Sequence, residues 1–197
     1  TKGDSETHSS LSPEDEFADF EIYPYYIQRK WTPYQPQRGD FVREALKQGL
    51  ELEQRLGQNP YVLGVIGSTD SHTALSSTEE NNFHGKLATD SIPANKNSGW
   101  NDDGPGATGW AMSASGMAAI WAKSNTRSDI MDALERREVY ATTGPRITVQ
   151  FYGGIGFTAA ELENADVHAY ATSRGVPMGG ELHQLETPTF IVLSAKD

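Results

Sequence analysis

Apolar positions along the chain gather into a few short runs separated by polar stretches, and the spacing within each run predicts its element. Val42, Ala45, Leu46, Gly49, Leu50 and Leu52 follow the 3.6-residue period. With Asp40 as cap and Gly57 as stop, they predict a helix over Phe41 to Leu56. An earlier helix start is read at Ser12-Pro13-Glu14-Asp15-Glu16, with Phe17 to Ile27 as its apolar face. Tyr61 to Ile66 is a short, β-branched run and predicts a buried strand. Gly116 to Ala122 predicts a second strand and Val139 to Gly144 a third. Between these two, Thr126 or Ser128 caps a helix over Asp129 to Arg137.

From Arg146 onward the pattern changes. Ile147, Val149 and Phe151 alternate with polar residues, as do Val167, Ala169 and Ala171, and later Phe190 and Val192. The Gly pairs at 153–154 and 179–180 separate these runs. Period-two alternation predicts antiparallel strands with one wet face. The reading is therefore an α/β region over residues 1–147, followed by the start of a β-rich, sandwich-like segment over 148–197. Residues 73–108 show little regular pattern, and the stretch Asn97 to Gly106 is turn chemistry throughout. A structureless stretch beyond about 12–15 residues is either functional or a surface excursion.

Composition narrows the partners. A net charge of −11 argues against a nucleic-acid backbone or an anionic membrane. No apolar stretch approaches the ~20 residues of a membrane span. The absence of Cys removes disulfides, thiolate metal sites and a thiol nucleophile, and leaves the compartment open, periplasm and cell exterior included. Neither a phosphate-binding Gly-rich loop nor a G-x-S-x-G nucleophile elbow is present. Thr1 at the start and the strand-like run closing at Asp197 read as the ends of a piece of a longer protein.

The candidate chemistry lies where the Tyr61–Ile66 run ends. Gly67-Ser68-Thr69 turns the chain and delivers Asp70 and His72 two positions apart. On extended backbone these side chains share a face, at the carboxyl end of a strand, where α/β folds place their sites. One carboxylate oxygen and one imidazole nitrogen suit Zn, Mn or Fe. A Ser71–His72 hydrolytic pair is disfavoured, because adjacent extended residues point apart. His8, in Asp4-Ser5-Glu6-Thr7-His8, is a second ligand candidate with Glu6, and reads equally as a solvated tail. His84 reads as a loop residue, and Glu79 and Glu80 could reach a metal from the same loop, although such an acidic pair is usually just solvated. The pairs Asp166/His168 and Glu181/His183 repeat the spacing without the strand-and-turn context, and read as surface residues. Arg146, after Thr142-Thr143-Gly144-Pro145, suits bidentate contact with a phosphate or carboxylate, or a structural bridge.

Gly67-Ser68-Thr69-Asp70-Ser71-His72 resembles the final metal motif of the polymerase and histidinol phosphatase (PHP) superfamily. The runs Lys2–His8, Phe41–Leu46, Val65–Lys86 and Arg136–Ile147 resemble a bacterial family, domain of unknown function 3604. The resemblance implies the C-terminal half of a distorted (β/α) barrel with divalent metals at the carboxyl ends of its strands. It implies hydrolysis of a small-molecule phosphoester or other ester by a metal-activated water. Asp70 and His72 would then be ligands, and Glu6 or Asp4 with His8 would match an earlier ligand position. The superfamily opens with His-x-His, which this chain lacks, so the resemblance places the first half of the barrel upstream of Thr1. A different expectation is a non-catalytic module that recognises a glycan or a protein through its β-rich part, with a vestigial D-x-H.

Overall fold

The structure is a computed structural model that describes residues 6–16, 18, 25–26, 32–74, 79, 85–97, 116–142, 144–163, 166–183 and 186–197. It contains two compact units. One comprises Thr1–Leu63, Asp70–Ser77 and Asn82–Ser113; the other comprises Gly64–Thr69, Thr78–Asn81 and Ala114–Asp197.

In the first unit the longest element is α1 (Val42–Leu56), which ends at Gly57 in the left-handed conformation. Its N-cap is Phe41 rather than the expected Asp40. The Asp40 carboxylate is turned back instead, accepting from the Gln37 amide (2.9 Å) and the Tyr34 hydroxyl (2.7 Å), and so closes a 3₁₀ turn at Arg38–Asp40. The expected apolar stripe is only partly covered: Leu46, Leu50 and Leu56 are exposed, whereas Phe41, Glu44 and Gly49 are buried. Glu44 is tolerated there because Lys47 and Arg38 pair with it. The helix expected from Ser12 is replaced over the described residues by successive i→i+3 turns, Asp15 N to Ser12 O and Ala18 N to Asp15 O, both 3.2 Å. Most of its expected apolar face, and the turn-rich stretch 98–106, lie outside the described residues.

In the second unit, β1 (Met117–Ile120), α2 (Arg127–Glu135) and β2 (Val139–Thr142) form a strand–helix–strand unit in which the strands pair antiparallel. Thr126 caps α2, its hydroxyl accepting from the Asp129 amide at 3.2 Å. The second sheet, in order β4-β3-β5, comprises β3 (Thr148–Gly154), β4 (Gly175–Pro177) and β5 (Thr189–Ala195), again antiparallel. Gly153 and Gly154 lie inside β3 rather than between strands.

Two further helices are α3 (Ala159–Leu162) and α4 (Val167–Arg174). The second corrects the alternation expected at Val167, Ala169 and Ala171. Asp166 accepts from the His168 and Ala169 amides and starts a helix, and Val167, Tyr170 and Ala171 then lie on one helical face. That face packs into the core of this unit with Tyr152, Ile191, Phe157, Leu162 and Leu193.

The chain is thus mixed α and β, with antiparallel sheets and no closed barrel among the described residues. The Tyr61–Ile66 run begins in a turn and forms no strand, and Val62, Leu63, Val65 and Ile66 stay exposed, so the expected buried strand is not formed. Gly67 then passes so near the ends of β1 and β2 that a Cβ on it would lie 2.7 Å from the Met117 and Thr142 carbonyl oxygens.

Candidate metal centre

Asp70 and His72 do converge: His72 Nε2 lies 3.3 Å from Asp70 Oδ1. They converge through a bend, not through strand alternation. Asp70 has φ 55° and Ala74 φ 57°, both in the left-handed region. Asp enters that region more readily than most residues. Thr69 before it is buried, whereas Asp70 and His72 are exposed.

A strap formed by Gly85 and Lys86 holds this turn. The Lys86 ammonium, buried to 7 % exposure, pairs with Asp70 Oδ2, and the Lys86 carbonyl accepts the His72 amide at 2.7 Å. The Ser71 hydroxyl donates to the Gly85 carbonyl at 3.2 Å and shares a 2.9 Å hydrogen bond with Thr73. Gly85 has φ 84°, and a Cβ there would lie 2.6 Å from Asp90 Cβ, so the strap requires glycine. Asp90 fixes the next residue, accepting the Leu87 amide at 2.9 Å. Burial alone would push the Asp70 carboxyl up. The hydrogen bond and charge of Lys86, joined by His72, outweigh it and hold Asp70 below the usual carboxylate range.

The other candidates are placed differently. Glu6 is paired with Arg43, which also holds Asp15. His8 Nδ1 is engaged by Ser10, at 2.8 Å from its hydroxyl and 3.1 Å from its amide, and the ring lies 6.0 Å from that of Phe41. Among the described residues no group of three or more His, Asp or Glu stands ready to hold a metal, so Glu6 and His8 are not gathered with Asp70 and His72. Glu79 is exposed; Asp4, Glu80 and His84 lie outside the described residues.

Arg146, in the second unit, pairs through its amide (2.9 Å) and its Nε (3.4 Å) with the Asp197 carboxylate. The two repeated pairs have local tasks. Asp166 caps α4, and Glu181 meets both His183 and Arg137 at 3.4 Å.

Sequence reasoning missed Lys86. It lies sixteen positions from Asp70 in a patternless loop, and the only signal near it is Gly85.

A mixed α and β chain presenting a clasped carboxylate–imidazole pair is the class that fold and site define. The chain belongs to the family described as Protein of unknown function (DUF3604), whose model matches residues 1–197. No curated protein and no solved structure matches it.

Proposed function

We propose that the chain carries the carboxylate and imidazole ligands of a metal-dependent hydrolase of the polymerase and histidinol phosphatase type, acting on a small phosphoester or other ester. The distorted barrel expected from the resemblance belongs to this reading. The 3.3 Å separation of Asp70 Oδ1 and His72 Nε2 carries it. Two metal bonds of about 2.0–2.1 Å at a tetrahedral angle set their donor atoms about 3.4 Å apart, so the pair fits one small ion. Oxygen with imidazole nitrogen suits Zn, Mn or Fe. When bound, such an ion would supply an acidified water as nucleophile, with a pKa of about 7 in the case of zinc.

The residues of this chain do the rest. Lys86 holds Asp70 with Oδ1 toward His72, and the hydrogen bond from the His72 amide to the Lys86 carbonyl fixes the backbone that carries the imidazole. Glu6 and His8 remain ligand candidates, with Glu6 paired here to Arg43 and His8 to Ser10. Arg146 is the candidate contact for the substrate's anion.

The test is hydrolysis of phosphomonoesters and phosphodiesters by protein supplied with Zn, Mn or Fe. Asp70→Asn is expected to lower activity by about 100-fold through lost metal. Equal activity in the variant contradicts the reading. For Arg146→Ala, a raised KM at unchanged Tm marks an anion contact, and a large fall in Tm marks a structural residue.

One observation favours the binding-module reading. Phe151 and Phe190 stack at 5.2 Å on an exposed face of the second sheet, beside exposed Val192. Retention of a glycan that Phe190→Ala abolishes, with no hydrolysis at any metal, would favour that module.

A further inference from the structure

We propose that Lys86 tunes the ion selectivity of the Asp70–His72 pair, by engaging one carboxylate oxygen so that Asp70 meets a cation mainly through the other. The inference rests on the metal reading above. The Lys86 side chain is buried and its ammonium pairs with Oδ2, while Oδ1 faces His72 Nε2. The Lys86 carbonyl holds the His72 amide, so one residue fixes both members of the pair. The backbone of the strap is in turn fixed by the left-handed turn at Gly85 and by Asp90.

Calcium takes about six to eight oxygen ligands and commonly uses carboxylates in bidentate fashion. With one lone pair of Oδ2 engaged by Lys86 and an ammonium beside it, bidentate use of Asp70 is disfavoured. The fixed positive charge also opposes an ion bound by charge alone more than one whose affinity rests on imidazole nitrogen. Lys86 therefore favours a small transition ion over calcium. It acts through Asp70 and is a positioning residue.

The experiment is calorimetric titration of Zn²⁺ and of Ca²⁺ into the natural protein, Lys86→Met, Lys86→Arg, Asp70→Asn and the Lys86→Met/Asp70→Asn double variant. The preference for Zn²⁺, the ratio of the two Kd values, is expected to fall by about tenfold or more in Lys86→Met. Lys86→Arg is expected to retain it, and any residual Zn²⁺ affinity in the Asp70→Asn background is expected not to respond to Lys86→Met. Met fills the buried volume, and water reaches the half-exposed Asp70, so the fold is expected to hold. Lys86→Gln, which removes the charge but keeps a donor for Oδ2, is the second variant and is expected to shift the ratio in the same direction by less. A natural protein that binds Zn²⁺ with the ratio unchanged in Lys86→Met and Lys86→Gln overturns the role of Lys86 and leaves the metal reading standing. A natural protein that binds no Zn²⁺ removes the metal reading and this inference with it.

Discussion

Around Tyr152 the chain is held by apolar packing; around Asp70 it is held by polar clasps. The sheet β4-β3-β5 and α4 close over Tyr152, Ala171 and Ile191, all nearly inaccessible to water. Among the described residues the Asp70–Ala74 turn has no such core: it follows an exposed apolar run and is fastened by Lys86, the Gly85 carbonyl and a left-handed backbone. A packed core is sensitive to volume, because removing atoms loses burial and leaves a cavity. A polar clasp is sensitive to charge and backbone geometry instead. The second arrangement suits a site that must present a carboxylate to a ligand rather than bury it.

The same residue type occurs in both regions and gives the sharpest contrast. Ile191 is 4 % exposed, and Ile191→Ala is expected to cost about 2–5 kcal/mol in urea unfolding. A cost under about 1 kcal/mol would mean that the sheet is not core-held. Gly85→Ala comes next, at about 1–3 kcal/mol, because it forces alanine to φ 84° against Asp90. Faster hydrogen exchange at the His72 amide is expected to accompany it, and unchanged exchange would mean that the strap does not hold the turn.

Glu44 tests charge in place of volume. The Lys47 hydrogen bond, opposed by burial and aided by the charges of Lys47 and Arg38, holds its carboxyl below the usual range. A depressed folded value means that this stabilisation is present above the ordinary carboxylate pKa of about 4.3, and is lost as pH falls through the lower folded value. Glu44→Gln is expected to cost about 1–2 kcal/mol at pH 7 and to flatten the acid limb of the stability curve. A parallel acid limb in the variant would contradict the assignment. The smallest effect is expected at Ile66→Ala, under about 1 kcal/mol, because Ile66 is 57 % exposed; a larger cost would show that the run before Asp70 is packed.

The contrast also explains which parts were legible from sequence. Elements with a cap and a clear period appear close to where the pattern places them: α1 with its Gly57 stop, α2 under Thr126, β3 and β5 by alternation. Helix α4 was not legible, because Val167, Ala169 and Ala171 fit period two as well as the helical face of Val167, Tyr170 and Ala171. Only the position of Asp166 beside two free amides decides between them. The convergence of Asp70 and His72 was legible from the turn before them, though its geometry was not, since spacing does not reveal a positive φ. Lys86 was not legible at all, because a clasp between distant loop residues leaves no period in the sequence.

The most direct test is the metal content of the purified protein beside its Asp70→Ala variant, by elemental mass spectrometry. The account predicts stoichiometric Zn, Mn or Fe in the natural protein and its loss in the variant. Metal retained equally by both, or absent from both, would contradict a metal centre built on Asp70 and His72.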